Sequence, residues 1–175
     1  MTGVAVADRL PGLDEIPAVT APVWGIDPST KRISLALILP EHQVRVHTLS
    51  LPTGNLAYRL AGMHTALMDW LPKLTRHYGM PGFALVEEPM GASMSRVHPN
   101  SQRAVGVLLG ALGATLACPI DLCVPGTWKA RSVGHGRASK DDVMQWAISA
   151  CGYAGTLQDE CDALGVAWAA ALTHP

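Results

Sequence analysis

Residues 23–28 read Val23-Trp24-Gly25-Ile26-Asp27-Pro28, an apolar run that ends in a carboxylate followed by a proline. The run has the length of a strand, and the proline marks where that strand stops. A second run of this kind, Phe83-Ala84-Leu85-Val86-Glu87, also ends in an acid. Because an unpaired charge is costly to bury, a carboxylate at the end of a buried strand indicates pairing or metal binding. Ligands of open α/β sheets gather at this end of the strands.

The chain around these two runs alternates between short apolar stretches and helical patterns. Two further apolar runs follow Asp27 at short spacing, at residues 33–39 and 44–49, and predict an antiparallel meander of three strands. Helical periodicity predicts four helices, at residues 56–74, 102–117, 140–151 and 159–172. Pro72 is expected to kink the first of them or to end it early.

A fifth strand is predicted at residues 120–124. The order βββαβαβαα then predicts an α/β fold, with a five-stranded mixed sheet flanked by helices. At 175 residues the chain has the length of about one domain, which we predict to span residues 22–175. Residues 1–21 are punctuated by prolines and a glycine, and they predict an irregular N-terminal arm.

Composition narrows the classes of partner. Hydrophobic residues make up 49% of the chain and charged residues 15%, which excludes a disordered protein. The net charge of −1 means that a polyanion would need a local basic patch. The longest apolar stretch, residues 104–118, is shorter than the ~20 residues of a membrane span and predicts a buried helix without a membrane partner. Four cysteines without C-x-x-C spacing, and no secretory signal, predict a cytoplasmic protein.

Two more carboxylates, Asp159 and Asp162, lie three residues apart at the start of the last predicted helix and share one helix face. Helix capping is an alternative explanation, because acids favour the first turn of a helix. Four carboxylates that converge from three elements would repel one another without cations. They suit two Mg²⁺ ions, which prefer oxygen ligands. Two metal ions ~4 Å apart would clamp the attacking and leaving oxygens of a phosphodiester displacement.

Two segments without acids predict a basic surface. Residues 127–140 are expected to form a loop and carry Lys129, Arg131, His135, Arg137 and Lys140. The second segment, residues 89–108, carries Arg96 and Arg103. Phosphate-backbone binding needs such patches, although a solvated loop without a ligand would have the same composition.

Further features of the first segment favour a ligand. Gly134 and Gly136 allow the backbone to approach a ligand closely. Lys140 would open a helix capped by Ser139, an arrangement that binds anions. Trp128 is the tryptophan that we would test for contact with DNA, because it stands beside Lys129.

Together, these residues resemble the RuvC-type Holliday-junction resolvases of the RNase H-like superfamily. Four stretches carry the resemblance, in the family's order and at about its spacing: Gly25-Ile26-Asp27-Pro28, Leu85-Val86-Glu87, Val133-Gly134-x-Gly136-x-Ala138-x-Lys140 and Asp159-x-x-Asp162-Ala163-Leu164. Each stretch alone is a weak signal, whereas four in order are a strong one. They cover residues 23–172.

The resemblance implies an RNase H-like fold and a crossover junction endodeoxyribonuclease. Such an enzyme cuts four-way or other branched DNA with Mg²⁺ and leaves 5′-phosphate and 3′-hydroxyl nicks; Mn²⁺ can substitute for Mg²⁺. By the same resemblance, two Mg²⁺ ions would be held by Asp27, Glu87, Asp159 and Asp162. Lys140 would contact the scissile phosphate or stabilise its charge. The family is homodimeric, and a two-fold protein can cut two strands symmetrically.

The DNA-binding residues are expected among the basic segments, with Lys129 as a backbone contact by the resemblance. The whole set is Lys129, Arg131, His135, Arg137, Lys140, Arg96 and Arg103.

Two positions leave alternatives open. Glu88 could bind metal in place of Glu87, although Glu87 directly follows the hydrophobic strand and is preferred. Ser29 stands where the family usually has glycine, and its side chain could tighten the turn or reach a metal-bound water.

Parts of the sequence are also compatible with other functions. The stretch from Gly25 to Thr30 also looks like the first phosphate loop of actin-like ATPases and sugar kinases, which need two such domains. A non-catalytic junction-binding module of the same fold would have no reason to retain four repulsive acids. An RNase H-like nuclease acting on another nucleic acid is the remaining alternative.

Overall fold

The structure, a computed structural model, describes residues 4–5, 19–89 and 99–174. Its strands are β1 (Val4–Ala5), β2 (Val23–Pro28), β3 (Arg32–Leu39), β4 (Gln43–Ser50), β5 (Phe83–Glu87) and β6 (Ile120–Cys123). Its helices are α1 (Leu56–Tyr78), α2 (Pro99–Thr115), α3 (Pro125–Ser132), α4 (Lys140–Cys151) and α5 (Gln158–Ala171). No helix in these described ranges is long and apolar enough to cross a membrane.

The strands form one mixed sheet in the order β1-β4-β3-β2-β5-β6. The predicted meander is confirmed, because β2 pairs with β3 and β3 with β4, both antiparallel. The strand β5 is central and runs parallel to its neighbours β2 and β6. All five predicted strands are present. A two-residue strand, β1, adds to the β4 edge within the segment predicted to be an irregular arm.

The two faces of the sheet are covered by different helices. Along β2, Trp24 and Ile26 belong to the core formed with α1 and α2. Val23 belongs to the core on the opposite face, formed with α3, α4 and α5. Because side chains alternate along a strand, Gly25 and Asp27 face the same way as Val23. The alternation along β5 likewise turns Glu87 toward the α5 face, with Phe83 and Leu85.

Helix α5 lies directly against the backbone of β2. A Cβ atom at Gly25 would lie 2.0 Å from the backbone nitrogen of Ala167 and 2.6 Å from the carbonyl oxygen of Ala163. No side chain larger than hydrogen fits there without moving the helix. On its far side α5 is equally close to α3, since a Cβ at Gly165 would lie 2.4 Å from the Trp128 ring. The small residues of α5 therefore allow a very close approach on two sides.

Two helices differ from the sequence-based predictions. Helix α1 continues past Pro72 to Tyr78 instead of ending early. Pro72 is exposed, so water can hydrate the carbonyl that the missing N–H leaves unpaired. The prediction of a loop throughout residues 127–140 was wrong, because α3 occupies Pro125–Ser132. Pro125 opens that helix at a position where proline is favoured, and Trp128 anchors it by burial.

We predict that Gly25→Ala lowers the free energy of unfolding by about 3 kcal/mol, because the added methyl group displaces α5 from β2. Urea denaturation followed by circular dichroism measures the change. The matched control is Gly106→Ala, since a Cβ at that position in α2 meets nothing within 4 Å. The control is expected to keep the stability or to raise it by up to about 1 kcal/mol. Equal stabilities for the two variants would contradict the close contact.

Candidate functional site

Two acids stand side by side where β2 and β5 end. Ile26 pairs with Val86 in the parallel ladder, so the next residues of the two strands, Asp27 and Glu87, are neighbours. Both side chains face α5 and are only partly exposed. The parallel pairing therefore puts two carboxylates at the carboxyl edge of the sheet.

Helix α5 brings two more carboxylates to the same edge. Burial raises the pKa of Asp27 well above its usual range, and the charges of Glu87, Asp162 and Asp159 raise it further. These interactions require that all four acids lie within electrostatic reach of one another. The structure thus brings together the four acids that the sequence singled out.

The pKa of Glu87 is raised to about 7, first by burial and then by the charge of Asp162. Burial likewise raises the pKa of Asp162. The charge of Lys129 lowers the pKa of both acids, and the charge of Lys140 lowers that of Asp27 and Asp162. Two lysines thus offset only part of the burial and repulsion, and the site favours an added cation.

Three of the four carboxylates already accept a hydrogen bond or form an ion pair. The indole nitrogen of Trp128 donates to Oε2 of Glu87 over 2.7 Å. The amide nitrogen of Gln158 donates to Oδ1 of Asp162 over 2.9 Å. The guanidinium Nε of Arg32 lies 3.4 Å from Oδ2 of Asp159. These donors hold the carboxylates in place around the edge of the sheet.

The donor set suits a hard divalent cation such as Mg²⁺, because carboxylate oxygens are its preferred protein ligands. Among the residues that the structure describes, no three His, Cys, Asp or Glu side chains form a group that could hold a metal ion as they stand. Arg32 and Gln158 already contact oxygens of Asp159 and Asp162, respectively.

Lys140 is the exposed cation of this site. It opens α4, and its charge reaches Asp27 and Asp162. The predicted cap is confirmed: the hydroxyl of Ser139 accepts from the backbone nitrogen of Asp142, whose carboxylate accepts in return from the Ser139 backbone. This capping box fixes the start of α4 and thereby the position of Lys140.

The other predicted DNA-binding residues occupy different settings. Arg131, His135 and Arg137 are exposed on α3 and on the connection from α3 to α4. Lys129 is partly buried, and its ammonium group donates to the carbonyl oxygen of Ala138 over 2.8 Å, which ties the glycine-containing connection to α3.

Two predicted DNA-binding residues remain, Arg103 and Arg96. Arg103 is exposed on α2, where it donates to the side chain of Asn100. Arg96 lies outside the described residues.

Glu88 and Ser29, the two positions with open alternatives, have different surroundings. Glu88 is exposed and lines a cavity of about 370 Å³ beside β6 with Asp121 and Arg131, whereas Glu87 faces the other acids. The hydroxyl of Ser29 donates to the carbonyl of Arg32 and accepts from its backbone nitrogen. Ser29 therefore tightens the turn from β2 to β3.

Sequence reasoning missed the residues that hold the acids. Trp128 was singled out for possible DNA contact, but it is 1% exposed and donates to Glu87. The apolar spacing of α3 could have indicated its burial, whereas nothing in the sequence indicated the bond to Glu87. For Arg32 and Gln158, likewise, the only indication in the sequence that they would contact the acids was that they stand near the acidic stretches.

The chain is similar in sequence and in structure to known proteins. No protein-family model matches the chain. The crossover junction endodeoxyribonuclease RuvC of Anaeromyxobacter dehalogenans strain 2CP-C is 32% identical over 149 residues, which are 83% of this chain and 77% of that protein. The enzyme of the same name from Anaeromyxobacter sp. strain Fw109-5 is 30% identical over 147 residues, 82% of this chain and 69% of that protein.

Solved structures share the fold. Thermus thermophilus RuvC in complex with a Holliday junction substrate superposes with a TM-score of 0.69 at 22% identity, covering 87% of this chain and 94% of that one. The yeast mitochondrial Holliday junction resolvase Ydc2 gives a TM-score of 0.57 at 18% identity, over 93% and 84% of the two chains. These likenesses confirm the predicted α/β fold of the RNase H-like type.

We predict that Asp27→Asn stabilises the metal-free protein at about pH 8 by roughly 1–2 kcal/mol, or about 3–6 °C in melting temperature. The reason is that a raised pKa makes the ionised carboxylate unfavourable in the folded state. The contribution of Asp27 to the stability of the unmodified protein is fully present below its ordinary pKa of 3.8 and is lost as the pH rises through the raised value. The gain of the variant should therefore shrink as the pH is lowered from about 8 toward that ordinary value.

Thermal unfolding in a chelator measures this gain. The control is Asp69→Asn, which removes an exposed ion pair with Lys73 and is expected to change the stability by less than about 1 kcal/mol. A loss of stability in Asp27→Asn at about pH 8 would show that the charge of Asp27 is compensated in the folded protein.

Proposed function

Because the chain belongs to the RuvC family of crossover junction endodeoxyribonucleases, we propose that it resolves four-way DNA junctions by metal-dependent hydrolysis at its four clustered carboxylates. The observation that carries this proposal is that four acids from three elements lie at one edge of the sheet, where the charges of Asp159 and Asp162 add to the raised pKa of Asp27 and of Glu87. Repulsion among four acids at one edge of a sheet lowers the stability of the fold, and it favours the binding of a cation.

The four acids would hold two divalent cations, Mg²⁺ or in its place Mn²⁺, and Glu87 rather than Glu88 would be the ligand from β5. Bound cations would supply a nucleophilic water and stabilise charge on the scissile phosphate. Asp27 and Glu87 approach from the sheet, and Asp159 and Asp162 approach from α5. The products expected are 5′-phosphate and 3′-hydroxyl ends.

Lys140 would contact the phosphate that is cut. Its side chain is exposed, and its charge already reaches Asp27 and Asp162. A cation at this place stabilises the negative charge that develops on the phosphate oxygens as the bond breaks. It also lies in the first turn of α4, where backbone N–H groups favour an anion.

The DNA backbone would follow the exposed basic surface made by Arg131, His135 and Arg137 next to this site. Arg103, which is exposed on α2, is the next proposed contact, and Arg96 stays a prediction from the sequence. Lys129 would contribute chiefly by holding the connection from α3 to α4 through Ala138, because its ammonium group already donates there. Binding of this kind comes mainly from phosphates, so it would weaken with added salt.

A second copy of the chain is the proposed partner. A four-way junction presents two equivalent strands, and a two-fold dimer would place one set of carboxylates at each of them. The retained repulsion among the acids argues against a non-catalytic junction-binding module, since such a module would gain stability by losing them. Competition among branched, linear and RNA-containing duplexes separates resolution from an RNase H-like activity on another nucleic acid.

We predict that Asp27→Asn abolishes nicking of a mobile four-way junction while its affinity for the junction stays within about threefold of that of the unmodified protein. The carboxylate acts in the reaction, whereas affinity comes from basic residues elsewhere. The assay compares the junction with a linear duplex of the same sequence, with and without Mg²⁺. The matched control, Asp69→Asn on α1, should cut normally. Full activity of Asp27→Asn, or equal cutting of the linear duplex, would overturn the proposal.

Lys140→Ala is predicted to lower the single-turnover cleavage rate at saturating Mg²⁺ by about 10²-fold, because the variant loses a cation beside the reacting phosphate. Lys73→Ala on α1 is the control, since that lysine pairs with Asp69 on the exposed surface of another helix. An unchanged rate for Lys140→Ala would make Lys140 a structural residue only.

A further inference from the structure

We infer that Glu160 is a positioning residue: its buried carboxylate, clamped by Thr48 and Tyr153, sets where Asp159 and Asp162 stand relative to Asp27. The inference rests on the proposed function and concerns a residue outside the four proposed ligands. Glu160 lies between Asp159 and Asp162 in the sequence, but it points to the protein interior and is only 7% exposed.

Both oxygens of the Glu160 carboxylate accept a hydrogen bond from a hydroxyl group. Thr48 donates to Oε1 over 2.7 Å, and Tyr153 donates to Oε2 in a short bond. A buried carboxylate needs such partners, and bonds to an ionised acceptor are among the stronger ones in proteins. The carboxylate of Glu160 is thus fully engaged, which makes it an anchor for the first turn of α5.

On the sheet side, Glu160 is connected to Asp27 through Thr48 and Ser34. Thr48 is the cross-strand partner of Ser34, and the two hydroxyls lie 3.1 Å apart. Ser34 is in turn the cross-strand partner of Asp27. Partners across an antiparallel pair share one face of a sheet, so Asp27, Ser34 and Thr48 form a row beneath α5. Glu160 ties α5 to the far end of that row.

On the loop side, Tyr153 fixes the approach to α5. Its hydroxyl accepts from the backbone nitrogen of Leu157, over 3.2 Å, and Leu157 precedes the first residue of α5. Leu157 is the N-cap residue of α5, and its side chain makes no capping hydrogen bond. The backbone of Gly155 lies so close to this hydroxyl that a Cβ at Gly155 would be 2.3 Å from the Tyr153 oxygen. The same hydroxyl therefore holds the connecting loop and the carboxylate of Glu160.

The clamp formed by Glu160, Thr48 and Tyr153 sets the positions of the acids, because Glu160 belongs to the same helix turn as they do. Asp159 and Asp162 flank Glu160, so a rotation or shift of the first turn of α5 moves both of them against the fixed Asp27. Groups that orient metal ligands from behind typically change metal affinity by about 10–100-fold when removed. The clamp is accordingly expected to act on metal affinity more than on the rate at saturating metal.

The experiment compares the full-length protein with Thr48→Val, which keeps the shape of the side chain but loses the hydroxyl, and with Tyr153→Phe. Thr48→Ser restores a hydroxyl and serves as the rescue variant. The exposed residues Thr65 and Tyr58 provide matched controls as Thr65→Val and Tyr58→Phe. Calorimetry measures the Mn²⁺ affinity of each metal-free protein, and hydrogen exchange without metal measures opening of residues 157–162.

Thr48→Val and Tyr153→Phe should each weaken Mn²⁺ binding by about 10-fold or more and speed up exchange in residues 157–162. Thr48→Ser and the two controls should stay within about threefold of the unmodified protein. Melting curves show that each variant is folded, and if Tyr153→Phe does not fold, the pair Thr48→Val and Thr48→Ser decides. Junction cleavage at saturating Mn²⁺ should fall far less than metal affinity.

Equal Mn²⁺ affinity in Thr48→Val, Tyr153→Phe and the unmodified protein would overturn the positioning role while leaving the proposed nuclease intact. Equal weakening in Thr48→Ser and Thr48→Val would overturn it as well, because the hydroxyl would then have no part in the effect. An unmodified protein that neither binds Mn²⁺ nor cuts a junction would overturn both the clamp and the proposed function.

Discussion

The direct contact between α5 and the backbone of β2 at Gly25 is the constraint on which the site depends. With no Cβ on Gly25, Ala163 and Ala167 rest against the strand itself. The helix turn that precedes Ala163 then lies over the end of β2, which is where Asp27 stands. Gly165 has the same effect on the opposite side of α5, where it lets the Trp128 ring approach and donate to Glu87. Small residues on one helix thus bring acids from three elements to one place.

The electrostatics of this place favour ligand binding over stability. Burial and mutual repulsion raise the pKa of Asp27, Glu87 and Asp162, while Lys129 and Lys140 offset only part of this. Proteins commonly retain such unfavourable groups where function requires them. The hydrogen bonds from Trp128 and Gln158 keep the carboxylates in place without neutralising them.

Much of this architecture could be predicted from local patterns. Alternation and short apolar runs predicted the five strands, and the Ser139 cap predicted the start of α4. The pattern failed where tertiary packing overrides local signals. Helix α3 begins at Pro125 and is stabilised by burial of Trp128. Because that burial is a tertiary contact, the basic residues of this segment predicted a loop. Pro72 stays within α1 because it faces solvent.

Periodicity and spacing were enough to predict the five strands in their order along the chain, the carboxylates that end β2 and β5, and the pair of acids on one face of α5. The groups that hold those acids became known only from the packed fold. Trp128 is 41 residues from Glu87 in the chain, and Thr48 is 112 residues from Glu160. No local pattern encodes such pairs, since they exist only after the sheet and α5 have packed together.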